Sequence, residues 1–333
     1  MDELPRWGQT KKILKSARLK KSPGDFIVDE ISEEGGRASE EATEVAGNLC
    51  VLRKEDVEGL GAERVIKRAL QTTVSTAGIK DKRAITYQFV SLGRTLAARR
   101  TWRGLALTPV GSRDRALETG QLSGNAFRVT LREVVGEIEM PSELEFPNYF
   151  GPQRVGSWRH GRAMLRRDYA ELMLLVAPEL ETMAPKKVAR KMRKTNLALS
   201  AVREYGRTGD AKSAIAAVPH RAKALWIHAY QSYLFNVGVA AVLRPGAEQH
   251  CLGLVGSQVP PEEDAVRAAM AADGITQQDF PRWCRGSPRR PVVATATNIQ
   301  ARRVKDDLRL SFELPPGSFA TSFLREICDD LSY

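Results

Sequence analysis

The residues best placed for chemistry lie in one stretch, Thr76 to Leu92, which reads Thr-Ala-Gly-Ile-Lys-Asp-Lys-Arg-Ala-Ile-Thr-Tyr-Gln-Phe-Val-Ser-Leu. Lys80, Asp81, Lys82 and Arg83 put four charges side by side, with Asp81 the lone carboxylate among cations. Neighbouring positive charge favours the ionised form of a carboxylate. A positioned carboxylate can act as a nucleophile at a sugar carbon. Gly, Asp and Lys between strands are also ordinary turn residues, whose aspartates satisfy local backbone donors. Spacing alone leaves both readings open.

A nucleophile needs rigid elements on either side. A β-rich run ends at Gly78, and beyond the charges Ile85, Tyr87 and Phe89 alternate with Thr86 and Gln88 as in a half-buried strand. Asp81 therefore falls on a strand-to-strand connection. Upstream, Lys11, Lys12, Lys15, Arg18, Lys20 and Lys21 form a basic opening, Pro23-Gly24 marks a turn, and Phe26 and Val28 begin a strand. Ser32 to Ala46, rich in Glu, Gly and Ser, reads as a solvated, mobile loop. Leu49 to Lys54 reads as a strand, and Glu63 to Leu70 as a short helix with Val65, Ile66, Ala69 and Leu70 on one face. Gly124 to Glu133, Val292 to Thr297 and Leu308 to Leu314 are further strands.

Between these lie segments of different character. Arg94, Arg99, Arg100, Arg103, Arg113 and Arg115 flank Trp102. Such a mixture suits RNA, because guanidinium groups pair with phosphate and stack on bases, and it equally suits a solvated face. Pro147 to Gly156 reads as a tight loop in which Tyr149 and Phe150 would be core plugs. From Arg162 the pattern turns helical, with Leu165, Tyr169, Leu172, Met173 and Val176 on one face. Lys186, Lys187, Arg190, Lys191, Arg193 and Lys194 follow Pro185, and the overall charge favours a phosphate-binding ridge over a solvated face. Ala224 to Leu243 reads as a long amphipathic helix with a core aromatic stripe and with Gln231 and Asn236 exposed. Near the C-terminus, Ser318 reads as the N-cap of a last helix, with Phe319 as its hydrophobic cap.

Composition bounds the class. A chain of 333 residues can bury a sizeable core and suggests two domains. Apolar content of 42% and charged content of 27% are ordinary for a globular protein, whereas a net charge of +11 points to a polyanionic partner, nucleic acid first. The start lacks an apolar leader core, and no run of about 18 apolar residues occurs, so neither secretion nor membrane insertion is expected. Cys50, Cys251, Cys284 and Cys328 lie far apart, without disulfide or zinc spacing, which fits a reducing cytoplasm. His160, His220, His228 and His250 also lack metal spacing, and no metal is expected.

Ala77 to Gln88 resembles the signature of the TruD family of tRNA pseudouridine synthases, whose nucleophile aligns with Asp81. Four further blocks follow in family order. Lys20 to Val28 resembles Lys-x-x-Pro-Glu-Asp-Phe-x-Val, with Gly24 in place of Glu, and implies Lys20 near the nucleophile and Phe26 against the target base. Gly124 to Phe127 resembles the family's Gly-Asn-x-Phe strand. Asn148 to Gly156 resembles Asn-Tyr-Phe-Gly-x-Gln-Arg-Phe-Gly, with Val155 for the last Phe. That block implies Asn148 on the nucleotide and Phe150 stacked on the base, with Gln153 and Arg154 also binding substrate. The last block, Leu314 to Glu326, resembles the family's terminal motif and implies Phe319 in the active site.

The resemblance implies an α+β fold: a pseudouridine synthase core with a mixed β-sheet flanked by helices over residues 1–170 and 290–333, and a mostly helical TRUD insertion domain over 171–289. The implied activity is isomerisation of uridine to pseudouridine in tRNA, at position 13, by attack of Asp81 on a flipped nucleotide. No cofactor is implied. The expected partner is tRNA, without a membrane or an obligate protein partner, for a monomer acting in the cytoplasm. A pseudouridine synthase for another RNA position is the nearest alternative. A non-catalytic RNA-binding or RNA-folding protein would not need Asp81, Lys20 and Asn148 together. A glycoside-type hydrolase would want a second carboxylate roughly 5–9 Å away, and no motif supplies one.

Overall fold

The computed structural model describes residues 4–7, 14–78, 80–137, 139–192 and 198–333; Lys11, Lys12, Arg193 and Lys194 of the basic runs lie outside them. Packing divides the chain into two units, one of residues 6–147 and 294–333, the other of residues 148–293 with residues 4–5. The first unit opens with β1 (Leu14–Arg18), β2 (Phe26–Ile31), β3 (Gly47–Glu55), α1 (Gly59–Leu70) and β4 (Val74–Thr76). It continues through β5 (Ile85–Leu96), β6 (Arg100–Trp102), β7 (Leu105–Gly111), β8 (Gly124–Val135) and β9 (Leu144–Pro147). The second unit holds α2 (Pro152–Val155), α3 (Trp158–Leu165), α4 (Tyr169–Val176), α5 (Pro185–Lys191), α6 (Leu199–Thr208), α7 (Ala211–Ala216) and α8 (His220–Val242). It closes with β10 (Cys251–Leu254), α9 (Asp264–Ala272) and β11 (Ser287–Pro291). The chain then returns to the first unit as β12 (Val293–Val304), β13 (Asp307–Leu314), α10 (Ala320–Ile327) and β14 (Cys328–Ser332).

The fold is α+β, as expected. Among the described residues the first unit forms one 12-stranded mixed sheet in the order β6-β7-β3-β5-β2-β8-β13-β12-β9, with β4 on β5, β1 on β8 and β14 on β1. Among the described residues the strand pairs β2–β5 and β1–β14 run parallel. The first of these fixes the geography of the chemistry. Ile27 pairs with Ile85, so the segments that enter β2 and β5, carrying Lys20 and Asp81, reach the sheet at the same end. On the other side of β5, Glu55 pairs with Ile85, which brings the end of β3 there as well.

An aromatic chain ties this sheet to α10. Phe26 meets Phe127 edge-on at 5.9 Å, Phe127 stacks on Phe312 at 5.2 Å, Phe312 lies 4.5 Å from Phe323, and Phe323 meets Phe146 at 5.6 Å. Each such pair adds about 0.5–1.5 kcal/mol beyond area burial, and four in series make β2, β8, β13, α10 and β9 one rigid block.

Several local expectations are corrected. β1 lies in the basic opening and β14 follows the last helix; neither was expected as a strand, yet they pair in parallel. The Ser32–Ala46 segment is irregular but anchored: Ala38 is fully buried, Ala38 N donates to Glu30 O, and Ser39 donates to both carboxylate oxygens of Asp29. The helical run after Arg162 is two helices, broken where Arg167 takes φ +59°. α8 is a central helix of the second unit, buried around most of its girth, and Gln231 and Asn236 are interior rather than exposed. The N-cap position of α10 is Phe319, and Ser318 does not cap it.

In the second unit α3 crosses α8 closely. A Cβ at Gly161 would stand 2.2 Å from Trp226 O and 2.8 Å from Tyr230 Cβ, so only glycine permits that approach. No helix among the described residues is long and apolar enough to cross a membrane.

Candidate active site

Asp81 sits on the connection from β4 to β5, half-buried, with the Nζ of Lys20 3.4 Å from its Oδ1. Lys20 is held from every side. Its backbone takes the left-handed conformation (φ +57°), unusual for a residue with a side chain. The preceding amide, Leu19 N, donates to Ser332 O at 2.8 Å, and Arg83 Nη2 donates to Lys20 O at 3.1 Å. The Lys20 ammonium lies 4.0 Å over the ring of Phe26, which is itself fully buried. Strain kept at one residue and over-determined by its surroundings is a mark of functional sites. The fold thus brings Asp81, Lys20 and Phe26 together, with Phe26 as the floor on which Lys20 rests. Phe319 is in the same unit, half-buried ahead of α10.

Beneath the loop lies a polar layer that sequence reasoning missed. Lys54, at the end of β3, is fully buried and donates to the main-chain carbonyl of Asp81. Burial lowers its pKa to about 8, opposed by Asp81 and reinforced by Lys80 and Lys20. Lys80 turns inward, pairing with Glu30 Oε2 at 2.7 Å and donating to Asn125 Oδ1 at 2.6 Å. Phe89 N donates to Glu30 Oε1 at 3.2 Å, which ties β5 to β2 through the same carboxylate. A signal for both buried charges exists in the sequence. Lys54 is in phase with the buried Cys50 and Leu52, and Glu30 with the buried Phe26 and Val28, so period 2 places each on an interior face.

A second cluster belongs to the unit of residues 148–293. Asn148 and Phe150 are brought together by Arg290, whose Nη2 donates to Asn148 O at 2.9 Å and to Asn148 Oδ1 at 2.6 Å. The guanidinium also lies 4.2 Å from the Phe150 ring centroid and 5.1 Å from that of Phe235. Asn148 Nδ2 donates to Pro291 O at 3.0 Å. Asn236 clasps Phe150 through both main-chain groups, accepting from its N at 2.8 Å and donating to its O at 3.0 Å. Burial, with Arg154 adding repulsion, lowers the Arg290 pKa to about 9. Arg154 is half-buried and Gln153 exposed.

The basic segments face solvent. Arg94, Arg99, Arg100, Arg103 and Arg115 are exposed, as are Lys186, Lys187, Arg190 and Lys191 on α5. Among the described residues no group of three or more His, Cys, Asp or Glu is placed to hold a metal ion.

Comparison with known proteins adds an independent line. The family model described as tRNA pseudouridine synthase D (TruD) matches residues 11–253 and 246–327. A protein described as "Probable tRNA pseudouridine synthase D" from Methanopyrus kandleri is 29% identical over 339 residues, covering 84% of each chain. The tRNA pseudouridine synthase D of Aquifex aeolicus is 26% identical over 394 residues, covering 94% of this chain and 99% of the relative. The crystal structure of a TruD candidate from Methanosarcina mazei has a TM-score of 0.64 at 20% identity, covering 97% of this chain and 95% of that one, a likeness of fold.

Proposed function

The chain belongs to the tRNA pseudouridine synthase D (TruD) family, and from that premise we propose that it converts uridine to pseudouridine in tRNA, at position 13, with Asp81 as the nucleophile. The observation that carries the reading is the Lys20–Asp81 ion pair, set on a loop between strands of the family's fold.

The target uridine must leave its stack, at a cost of a few kcal/mol that phosphate contacts to a basic protein and aromatic contacts offset. The Asp81 carboxylate attacks carbon 1 of the ribose, the bond to N1 of uracil breaks, and the electron pair leaves with the base. Lys20 orients the carboxylate before attack. Uracil then turns and bonds to the sugar through C5, Asp81 departs, the C5 proton is lost and N1 takes up a proton, so the product is an isomer of the substrate. Atoms and charge balance without an added reactant. Phe26, fully buried, supports Lys20 from beneath rather than meeting the base itself. Phe150 and Phe319 supply apolar surface for the base, and Asn148, Gln153 and Arg154 contact the nucleotide. Excluding water matters because a detached base would otherwise be lost. Residues 1–170 and 290–333 are proposed as the synthase domain and 171–289 as the insertion, and the enzyme is proposed to act as a cytoplasmic monomer.

Tritium release from tRNA carrying 5-³H-uridine tests the reading, because tritium leaves C5 only when a bond forms there. Wild type should release it and Asp81→Ala should not, while still binding tRNA. Equal release by both would remove Asp81 from the mechanism; binding without release by wild type would favour an RNA-binding role. Mapping the product in a tRNA altered at position 13 decides the site.

A further inference from the structure

Lys54 takes no part in the steps above, yet its placement is costly. An ammonium with no exposed surface normally has a carboxylate partner or gives up its proton. Of the three lysines whose side chains are buried around Asp81, two have such a partner: Lys20 faces Asp81 and Lys80 faces Glu30. Lys54 differs. Among the described residues its only hydrogen-bond acceptor is neutral, the main-chain carbonyl of Asp81. Its strand neighbours are Thr86 on β5 and Leu105 on β7, neither of which titrates in the relevant range. The charged groups acting on it are Asp81 and Lys80 from the β4–β5 connection and Lys20 from the segment after β1. Three buried ammonium groups therefore stand with two carboxylates, and the surplus one is attached to the Asp81 backbone.

We propose that Lys54 is a positioning residue for the reaction: its ammonium holds the Asp81 carbonyl, and with it the aim of the carboxylate, and adds positive potential where the departing uracil gains electrons. The inference rests on Asp81 being the nucleophile. A positive charge near developing negative charge, fixed in advance and shielded from water, favours the transition state over the ground state. Because the side chain is buried beneath the loop, it acts on turnover rather than on RNA affinity. With a pKa of about 8, Lys54 loses its proton as pH rises through that value, so turnover should fall there.

The experiment is tritium release, with kcat and KM measured from about pH 6 to about pH 10 for wild type, Lys54→Met and Lys54→Arg. Wild type should lose turnover as pH rises through about 8. Lys54→Met should show kcat lower by about 10²-fold near neutrality, an unchanged KM and no such alkaline limb. Lys54→Arg should regain part of the turnover and move the limb upward. Thermal melting and tRNA binding establish that each variant is folded. Should Lys54→Met not fold, the wild-type profile decides, and a flat profile through pH 8 overturns the proposal. Turnover of Lys54→Met within about twofold of wild type, or a loss confined to KM, overturns it as well. In those cases Asp81→Ala remains inactive and the function stands, whereas no release by wild type overturns both.

Discussion

Replacing Lys54 by methionine should make the protein more stable at neutral pH even as it loses activity. A lysine brought from 10.5 to about 8 is kept as an ammonium at pH 7 at a cost of about 3 kcal/mol. Methionine keeps most of the apolar stem and removes that cost. It also removes the hydrogen bond to the Asp81 carbonyl, worth about 1–3 kcal/mol to a charged donor. The net expectation is a gain of about 1 kcal/mol at pH 7. The pH dependence has a definite sign. Between about 8 and 10.5 the unfolded chain holds a proton at Lys54 that the folded chain has released, so wild-type stability rises with pH across that window. The variant lacks this rise, and its advantage should vanish by about pH 10. Urea unfolding at both pH values, with equal m-values, reads the difference directly. A Lys54→Met chain less stable than wild type at pH 7, or an advantage that does not shrink with pH, would refute the reasoning.

Two further outcomes follow from the other clusters. Asn236→Ala removes both partners of the Phe150 main chain and should destabilise the protein by about 3 kcal/mol, read by thermal or urea unfolding; a loss under about 1 kcal/mol would mean that Phe150 is held by other contacts. Replacing exposed Arg99, Arg100 and Arg103 together by alanine should lower the salt dependence of tRNA binding, reducing the log–log slope by about 1 for each arginine that meets phosphate, and should leave kcat unchanged; an unaltered slope would make this a solvated face.

Much of the site's scaffold was legible because period 2 is strict. The run from Ile85 does form β5, and the charges before it mark a connection, which is where Asp81 lies. The face was misread, since Thr86 and Gln88 are buried while Ile85 and Tyr87 are only half-buried. Asn236 was misplaced because a helix buried on most sides has no polar face to betray, and its amide satisfies main-chain groups nearly ninety residues away in sequence. Lys54 was missed because lysine at a strand end reads as solvent-facing unless its phase with Cys50 and Leu52 is counted. β1 and β14 escaped because each is short and half polar; their pairing across the whole chain is what makes them strands. The resting place of Arg290 over Phe150 has no local signature at all.

The order of strands also has a consequence during synthesis. β8, twelve residues long, is flanked in the sheet by β2 and β13, but β13 begins only at Asp307, after the entire 148–293 unit has been made. At typical elongation rates the ribosome needs on the order of ten seconds or more to cover that interval. Through it the nascent chain carries an open, apolar strand edge, which is a hazard for mispairing with other chains. The intervening unit can meanwhile fold on local helical contacts, which form fast. Lys20 is anchored last, when Ser332 arrives to accept from Leu19. The setting of the proposed nucleophile is thus finished only when the last strand docks beside the first.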